Sequence, residues 1–402
     1  MNNILVYHPT GNQNVRALLN GLCNMKILQS YHTTIGVFPS SFYYSLLKGP
    51  LAKFKRRTYS NMLKKYVIQY PFLELAMMAG LKKYRGSLLN GSSLNKILAY
   101  DIAKYLHKKI SVVDGVYGFP FGSEPIFLEA KKHGIKCIYE QTTAYYKCLK
   151  AITSEEKELN FDWAKSITIY EEAPTILNKL DRELEMADLV IAASTYIKRT
   201  LIEGGVSEDK IHIIPYGFPL VNPKEYRTIS KGDKIKILFA GNLSQLKGLS
   251  YLSEALQGLE EQLELTLIGS YSHKSNRLLD FIHSHNYLGT LSHEDLLQEM
   301  HKHDVFVFPS LCDGFGMVVS EAMSQGLPVI ATNNSCGPDI IKNGENGWLV
   351  PAKDSISIRH ILEEIIANPN IIQSMGEKAL ATAQSRPWVN YEKEVANLLK
   401  NI

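Results

Sequence analysis

Cysteine is scarce in this chain. The five residues, Cys23, Cys137, Cys148, Cys312 and Cys336, are odd in number and never spaced Cys-x-x-Cys. That excludes a disulfide scaffold, argues against a zinc site and suits a reducing cytoplasm. Long hydrophobic runs are missing too: none approaches the roughly 18 residues of a membrane span. The opening Met-Asn-Asn-Ile-Leu-Val-Tyr-His has no basic stretch and no long apolar core, so it reads as a first strand and not as a signal peptide. No Asp-x-Asp triplet occurs, and no cluster of His and carboxylate residues has metal spacing, so no metal is expected. Nucleic-acid-binding signatures are absent, and no nucleic-acid partner is expected. The first hundred residues also lack acids. Glu74 stands alone there against 13 Lys and Arg, a net charge of +12. The other 302 residues carry 31 bases and 39 acids, net −8, so the overall +4 conceals two parts of opposite sign. Such asymmetry points to an anionic partner for the first part.

What is present is a chain of 402 residues, enough for two domains, with 45% apolar and 21% charged residues. Short apolar, β-branched runs alternate with helical stretches. Residues 4–7, 35–38, 111–114, 136–139, 189–192 and 212–214 read as buried strands, and a second series covers 235–239, 263–268, 305–308, 328–331 and 348–350. Continuous apolar strands separated by helices predict parallel sheets covered on both faces. The predicted fold is α/β, two doubly wound, Rossmann-like domains facing a cleft. The boundaries place the first domain at 1–220, a polar linker at 221–234 and the second domain at 235–387.

Residues 46–84 interrupt the alternation. Lys48, Lys53, Lys55, Arg56, Arg57, Lys64, Lys65, Lys82, Lys83 and, just beyond, Arg85 are interleaved with Leu51, Phe54, Met62, Leu63, Tyr66, Val67 and Tyr70 at near-helical spacing. This reads either as a solvated outer helix or as a basic face lying on anionic lipid, with Leu51, Phe54, Met62 and Tyr66 able to insert.

Three features of the second series carry chemistry. Gly241-Asn242-Leu243-Ser244-Gln245-Leu246-Lys247-Gly248 follows a strand and opens a helix. Gly241 permits a tight turn, loop amides and a helix N-terminus attract an anion, and Lys247 adds a positive charge. The same loop is also an ordinary strand-to-helix turn. Next, Asp313-Gly314-Phe315-Gly316 precedes a helix carrying Glu321. Eight residues of mostly helical rise put the carboxylates of Asp313 and Glu321 roughly 12 Å apart, too far to share a proton. The spacing fits acceptors that grip two polyols with an anion between them, as in a nucleotide sugar. The plainer alternative is an N-cap Asp and an exposed helical Glu. Last, the polar stretch from Ala331 to Ile341 and the Asn/Gly turn at 343–347 form a connector or a further wall of the site.

Together these residues resemble the retaining glycosyltransferases of family 4, which have the two-domain GT-B fold. Asp313 and Glu321 sit where that family has its Glu-x7-Glu motif, and Ala187–Val190 and Ile214–Gly217 look like its strand ends. The resemblance implies that Asp313 and the Gly314, Phe315 and Gly316 backbone meet the donor sugar. It implies that Glu321 holds the ribose, that Lys247 and the Gly241–Asn242 turn meet the donor phosphates, and that Gly11 approaches the diphosphate. A last helix near 388–402 would cross back onto the first domain. The sequence departs from the family in three places. Asn242 stands where many members have an Arg, which removes one of two cations. Asp313 replaces Glu, shortening a sugar contact by a methylene. Glu140 or Gln141 occupies the place of a His after the fourth strand.

The implied activity is a metal-independent, retaining transfer from a nucleotide sugar, a UDP-sugar first of all, to a glycan or lipid-linked saccharide. The implied location is the cytoplasmic face of a membrane, in the synthesis of a polysaccharide or envelope glycan, with no cofactor beyond the donor. A nucleotide-sugar epimerase, a phosphorylase on the same scaffold and a catalytically silent partner of an active transferase are the alternatives.

Overall fold

The computed structural model describes residues 1–80, 83–84, 87–88, 91–167, 174–230 and 232–402. Among these, the first half of the chain contains strands β1 (Ile4–Tyr7), β2 (Leu28–Thr33), β3 (Val67–Gln69), a small hairpin of β4 (Lys83–Tyr84) and β5 (Ser87–Leu88), then β6 (Gly115–Gly118), β7 (Lys136–Gln141), β8 (Leu189–Ala192) and β9 (Ile211–Ile213). The second half contains β10 (Ile235–Ala240), β11 (Leu263–Ile268), β12 (Asn286–Tyr287), β13 (Val305–Phe308), β14 (Val329–Thr332) and β15 (Gly347–Val350). The hairpin apart, they form two parallel sheets, ordered β3-β2-β1-β6-β7-β8-β9 and β12-β11-β10-β13-β14-β15. Both orders reverse beside the first strand of their sheet, the topology of a doubly wound fold. Strands such as Ile-Leu-Val-Tyr in β1 and Val-Phe-Val-Phe in β13 are buried along their whole length because helices cover both sheet faces.

Two strands lie elsewhere than the apolar runs predicted. The second is Leu28–Thr33, not 35–38, although it reads Leu-Gln-Ser-Tyr-His-Thr. Its polar side chains are buried because they bond to partners: the His32 ring meets Ser30 Oγ at 3.0 Å and Tyr70 Oη at 2.9 Å, and Thr33 Oγ1 donates to Pro9 O at 2.8 Å. The fourth member of the sheet is Gly115–Gly118, not 111–114, where a 3₁₀ turn stands. A Cβ on Gly118 would come within 2.2 Å of Ser123 Oγ, so glycine is there for close packing. The segment 46–84 is not one amphipathic helix. It is a series of 3₁₀ turns (Phe42–Leu46, Gly49–Arg57, Asn61–Leu63), then β3 and the helix Pro71–Met78.

The final helix, Trp388–Lys400, packs on Gln13–Asn24 of the first half. The approach is close enough that a Cβ on Gly21 would meet Glu392 O at 2.2 Å. Chain 214–234 crosses between the sheets without helix or strand in its described residues. The two carboxyl edges face each other. Gly314, in the loop after β13, lies against Thr142, in the loop after β7, so tightly that a Cβ would stand 2.1 Å from Thr142 O.

Candidate functional site

The loop after β10 is set by backbone. Gly241 has φ +149°, and Gly269, at φ +141°, presses on its carbonyl; a Cβ there would lie 1.7 Å from Gly241 O. The amides of Gly241, Leu243, Lys247 and Gly248 already donate to Ile268 O, Ser270 O, Ser244 O and Gln245 O. Positive charge in this turn therefore rests on the Lys247 side chain more than on the amides. Asn242 is exposed at the mouth. Lys247 forms an ion pair with Asp313, each side chain about one-fifth exposed (18% and 22%), and its Nζ stands 5.4 Å from the Phe308 ring centroid. Two residues predicted from separate motifs thus meet.

The loop after β13 is pinned from both halves. Gly314 O accepts from Ser194 Oγ at 2.7 Å, and Phe315 is buried against Tyr216 with ring centroids 5.0 Å apart. Gly316 has φ +76° and opens the helix Met317–Ser324. One face of that helix holds Glu321, nearly buried, whose Oε1 accepts from His293 Nε2 at 3.1 Å. The bond raises the His293 pKa. The stretch after β14 is a second bridge between halves: Asp339 accepts from the Thr195 amide at 3.0 Å, and Arg199 donates to Asn334 Oδ1 at 2.6 Å. Sequence reasoning missed Thr195, Arg199 and His293, because each acquires its partner only through the fold.

On the facing side, Gly11 has φ +66° and is buried beneath Tyr59, whose Oη would lie 1.7 Å from an added Cβ. Its amide donates to His8 Nδ1 at 2.8 Å, and burial lowers the His8 pKa to about 4, which keeps that ring a neutral acceptor. Gln141 ends β7 and donates to Thr143 O at 2.8 Å, beside the Gly314 contact. Glu140 corrects the expectation that it could fill the place of the family's His. It is fully buried. Oε1 accepts from Asn14 Nδ2 at 2.9 Å and Tyr216 Oη at 2.7 Å, and Oε2 from Tyr117 Oη at 2.6 Å and Tyr391 Oη at 3.3 Å. Four donors fill the roughly four acceptor positions of a carboxylate, so none is left for a substrate. Burial pushes its pKa up.

The basic segment divides. Lys55, Arg56, Lys64 and Lys65 are exposed, as is Lys48. Arg57 is withdrawn into an ion pair with Glu74 and donates to Thr34 Oγ1 at 3.2 Å, so it is no free surface charge. The Lys53 side chain, Lys82 and Arg85 lie outside the described residues, as does the side chain of Lys83. Of the apolar residues expected to insert, Phe54 is buried and Tyr66 packs on the core; Leu51 and Met62 are exposed, together with Phe42, Leu46 and Phe72.

One group with metal-ligand composition occurs among the described residues, against the sequence expectation of none. Glu129 Oε1 meets His107 Nδ1 at 2.7 Å and His133 Nε2 at 3.3 Å, while Lys132 takes its other oxygen at 3.0 Å. The sequence hides it because His107 comes from a neighbouring helix. It lies at the helix ends away from the strands' carboxyl edges, with an ammonium already on the carboxylate.

Residues 224–382 match the family described as Glycosyl transferases group 1, a span that includes Asn242, Lys247, Asp313 and Glu321. HepE of Anabaena, solved with UDP and glucose, superposes over 100% of both chains with a TM-score of 0.61 at 17% identity. The chain carries a glycosyltransferase group 1 domain on the GT-B fold. Among its relatives, a Klebsiella pneumoniae protein of 41.2 kDa encoded in a cps region is 27% identical over 68% of this chain and 74% of its own. CapM of Staphylococcus aureus, a capsular polysaccharide biosynthesis glycosyltransferase, is 25% identical over 49% of this chain and 57% of its own. The chain spans 50–56% of the length of other curated relatives it matches. Gly11, Glu140 and the basic segment lie outside the family match. No helix among the described residues is long and apolar enough to cross a membrane.

Proposed function

We propose that this glycosyltransferase moves a sugar from a UDP-sugar to a glycan or lipid-linked saccharide in polysaccharide synthesis, with retention at the anomeric carbon and without a metal. The observation that carries the reading is the pairing of Lys247 with Asp313 where the two carboxyl edges meet, with Glu321 one helix away. A diphosphate in the cleft competes for Lys247. That releases Asp313 to accept from a sugar hydroxyl, while Glu321 takes the ribose. The UDP bound by HepE and the capsular role in CapM's name support the choice of donor and pathway class.

In the proposed step the bond from the anomeric carbon to the phosphate oxygen breaks. The acceptor oxygen bonds to the same face, and its proton passes to an oxygen of the leaving diphosphate. The charge that develops there falls on Lys247 and on the amino end of the following helix, Leu249–Leu256. No protein nucleophile is needed, and Glu140, saturated by its four donors, has no part in proton transfer.

The first half is proposed to rest on the anionic inner face of the cell membrane through Lys48, Lys55, Arg56, Lys64 and Lys65, with Phe42, Leu46, Leu51 and Met62 reaching the apolar boundary. The test of the transfer is a thermal-shift panel of UDP, GDP and ADP, followed by turnover of the stabilising nucleotide's sugars in excess EDTA. UDP should stabilise the protein and transfer should survive EDTA. Loss with EDTA and recovery with Mg²⁺ or Mn²⁺ would overturn the metal-free reading.

A further inference from the structure

By sequence, residues 146–167 belong to the first half, but from Leu149 onward several of their side chains serve the second. Trp163 packs into the core around β10 and meets Phe281 with ring centroids 5.7 Å apart. Asp162 accepts from the Arg277 amide at 2.8 Å. Ala144, Leu149, Ile152 and Ile167 close over Leu246 and Cys312. The centre of this arm is Glu156, whose side chain is wholly buried. It accepts from Gln245 Nε2 at 2.6 Å, Tyr251 Oη at 2.9 Å and Asn160 Nδ2 at 2.9 Å, with Lys353 Nζ 3.8 Å away. The arm's Ser166 Oγ accepts from the Gln245 amide at 2.9 Å. Gln245 begins the 3₁₀ turn that ends at Lys247. Its backbone and its side chain are therefore both held from the other half, and Leu246 sits in that half's apolar pocket.

Burying a carboxylate is a poor route to stability, because desolvation offsets most of what its bonds return. It is a good route to fixed geometry, since charged hydrogen bonds are strong and directional. We propose that Glu156 is a positioning residue of the donor site: by gripping Gln245 it fixes the turn that carries Lys247. The proposal rests on the reading of Lys247 as the cation facing the donor diphosphate. It makes the donor site a joint product of both halves, its phosphate-binding charge aimed by an arm of the first half.

The test reverses the polarity of the grip. Glu156→Gln sets an amide against an amide donor and should raise the UDP Kd and the donor KM by about tenfold, the equivalent of one lost charged hydrogen bond. Acceptor KM should stay put. Gln245→Glu alone sets two carboxylates together and should do at least as much. The double variant Glu156→Gln with Gln245→Glu restores a donor facing an acceptor and should recover most of the loss, which a merely structural role does not predict. If Glu156→Gln does not fold, Ser166→Ala carries the test. It removes the first half's second hold on Gln245, leaves the carboxylate and the Ser250 bonds to the Gln245 side chain in place, and should shift the same constants in the same direction. Overturning results are a lowered Tm with UDP Kd and donor KM within about twofold of wild type, or no recovery in the double variant. Lys247→Ala measured alongside separates the two claims. If it leaves UDP binding intact, the donor reading fails and takes the proposal with it; if it weakens UDP while Glu156→Gln does not, the positioning role alone falls.

Discussion

Replacing Glu140 distinguishes a structural carboxylate from a catalytic one. Glu140→Ala would strand three phenols and an amide, all now within 3.3 Å of its oxygens in the interior. At about 1–3 kcal/mol for each stranded donor, even a partial sum rivals the roughly 5–15 kcal/mol of an entire domain. That variant should fail to accumulate as folded protein. Glu140→Gln is the informative change. Its carbonyl keeps two donors, and two phenols can turn to accept from its amide, so charged bonds worth about 1.5–3 kcal/mol each become neutral ones worth about 0.5–1.5. Four such differences come to about 4–6 kcal/mol, relief of the buried charge's desolvation offsets part of that, and the net loss should be about 2–4 kcal/mol, read as a lower urea midpoint. Turnover at low temperature should fall less than about tenfold, through slackening of Tyr216 beneath Phe315. Stability equal to wild type with turnover lost by about 10²-fold or more, the range for a missing acid or base, would refute the reasoning.

Glu321→Ala should weaken UDP binding by about 1.5–3 kcal/mol, whereas Asp313→Ala should cost the UDP-sugar more than UDP; equal calorimetric losses for both ligands in the Asp313 variant would contradict the order assigned along the donor. The His293–Glu321 pair should be pH-dependent. Its folded pKa is raised above the ordinary 6.5, so its contribution is fully present below pH 6.5 and lost as pH rises through the raised value. For a half-exposed pair His293→Ala should cost about 0.2–1 kcal/mol at pH 6 and less at pH 9, and a cost that grows with pH would argue against the pairing. Co-sedimentation with vesicles should require anionic lipid, weaken as salt shortens the roughly 10 Å screening length, and drop when Lys55, Arg56, Lys64 and Lys65 become Ser. Wild-type protein that ignores anionic vesicles at low salt would remove the membrane claim.

The second half was legible because its strands, the two-residue β12 apart, are mostly apolar runs and its turns carry their chemistry on adjacent residues, as at Gly241–Gly248 and Asp313–Gly316. The first half was less so. β2 carries Ser30, His32 and Thr33, of which His32 and Thr33 become core residues through Tyr70 and Pro9, 38 and 24 positions away, and β6 begins and ends in glycine. Periodicity cannot see either. The same limit hid Glu156, an unremarkable helical Glu until the arm crosses to Gln245, and it made Glu140 look like a loop residue near a cleft when the fold encloses it. The Lys247–Asp313 pair needed only the two loops to lie on neighbouring strands, β10 and β13, which the doubly wound order provides.

Whether Lys247 carries the donor diphosphate is read from transfer from a UDP-sugar by wild type and by Lys247→Ala, in EDTA, with circular dichroism confirming that both are folded. Turnover should be lower by about 10²–10³-fold in the variant, as for loss of a preorganised charge at the developing leaving group. Activity within about threefold of wild type, a difference below 1 kcal/mol in barrier, would contradict it.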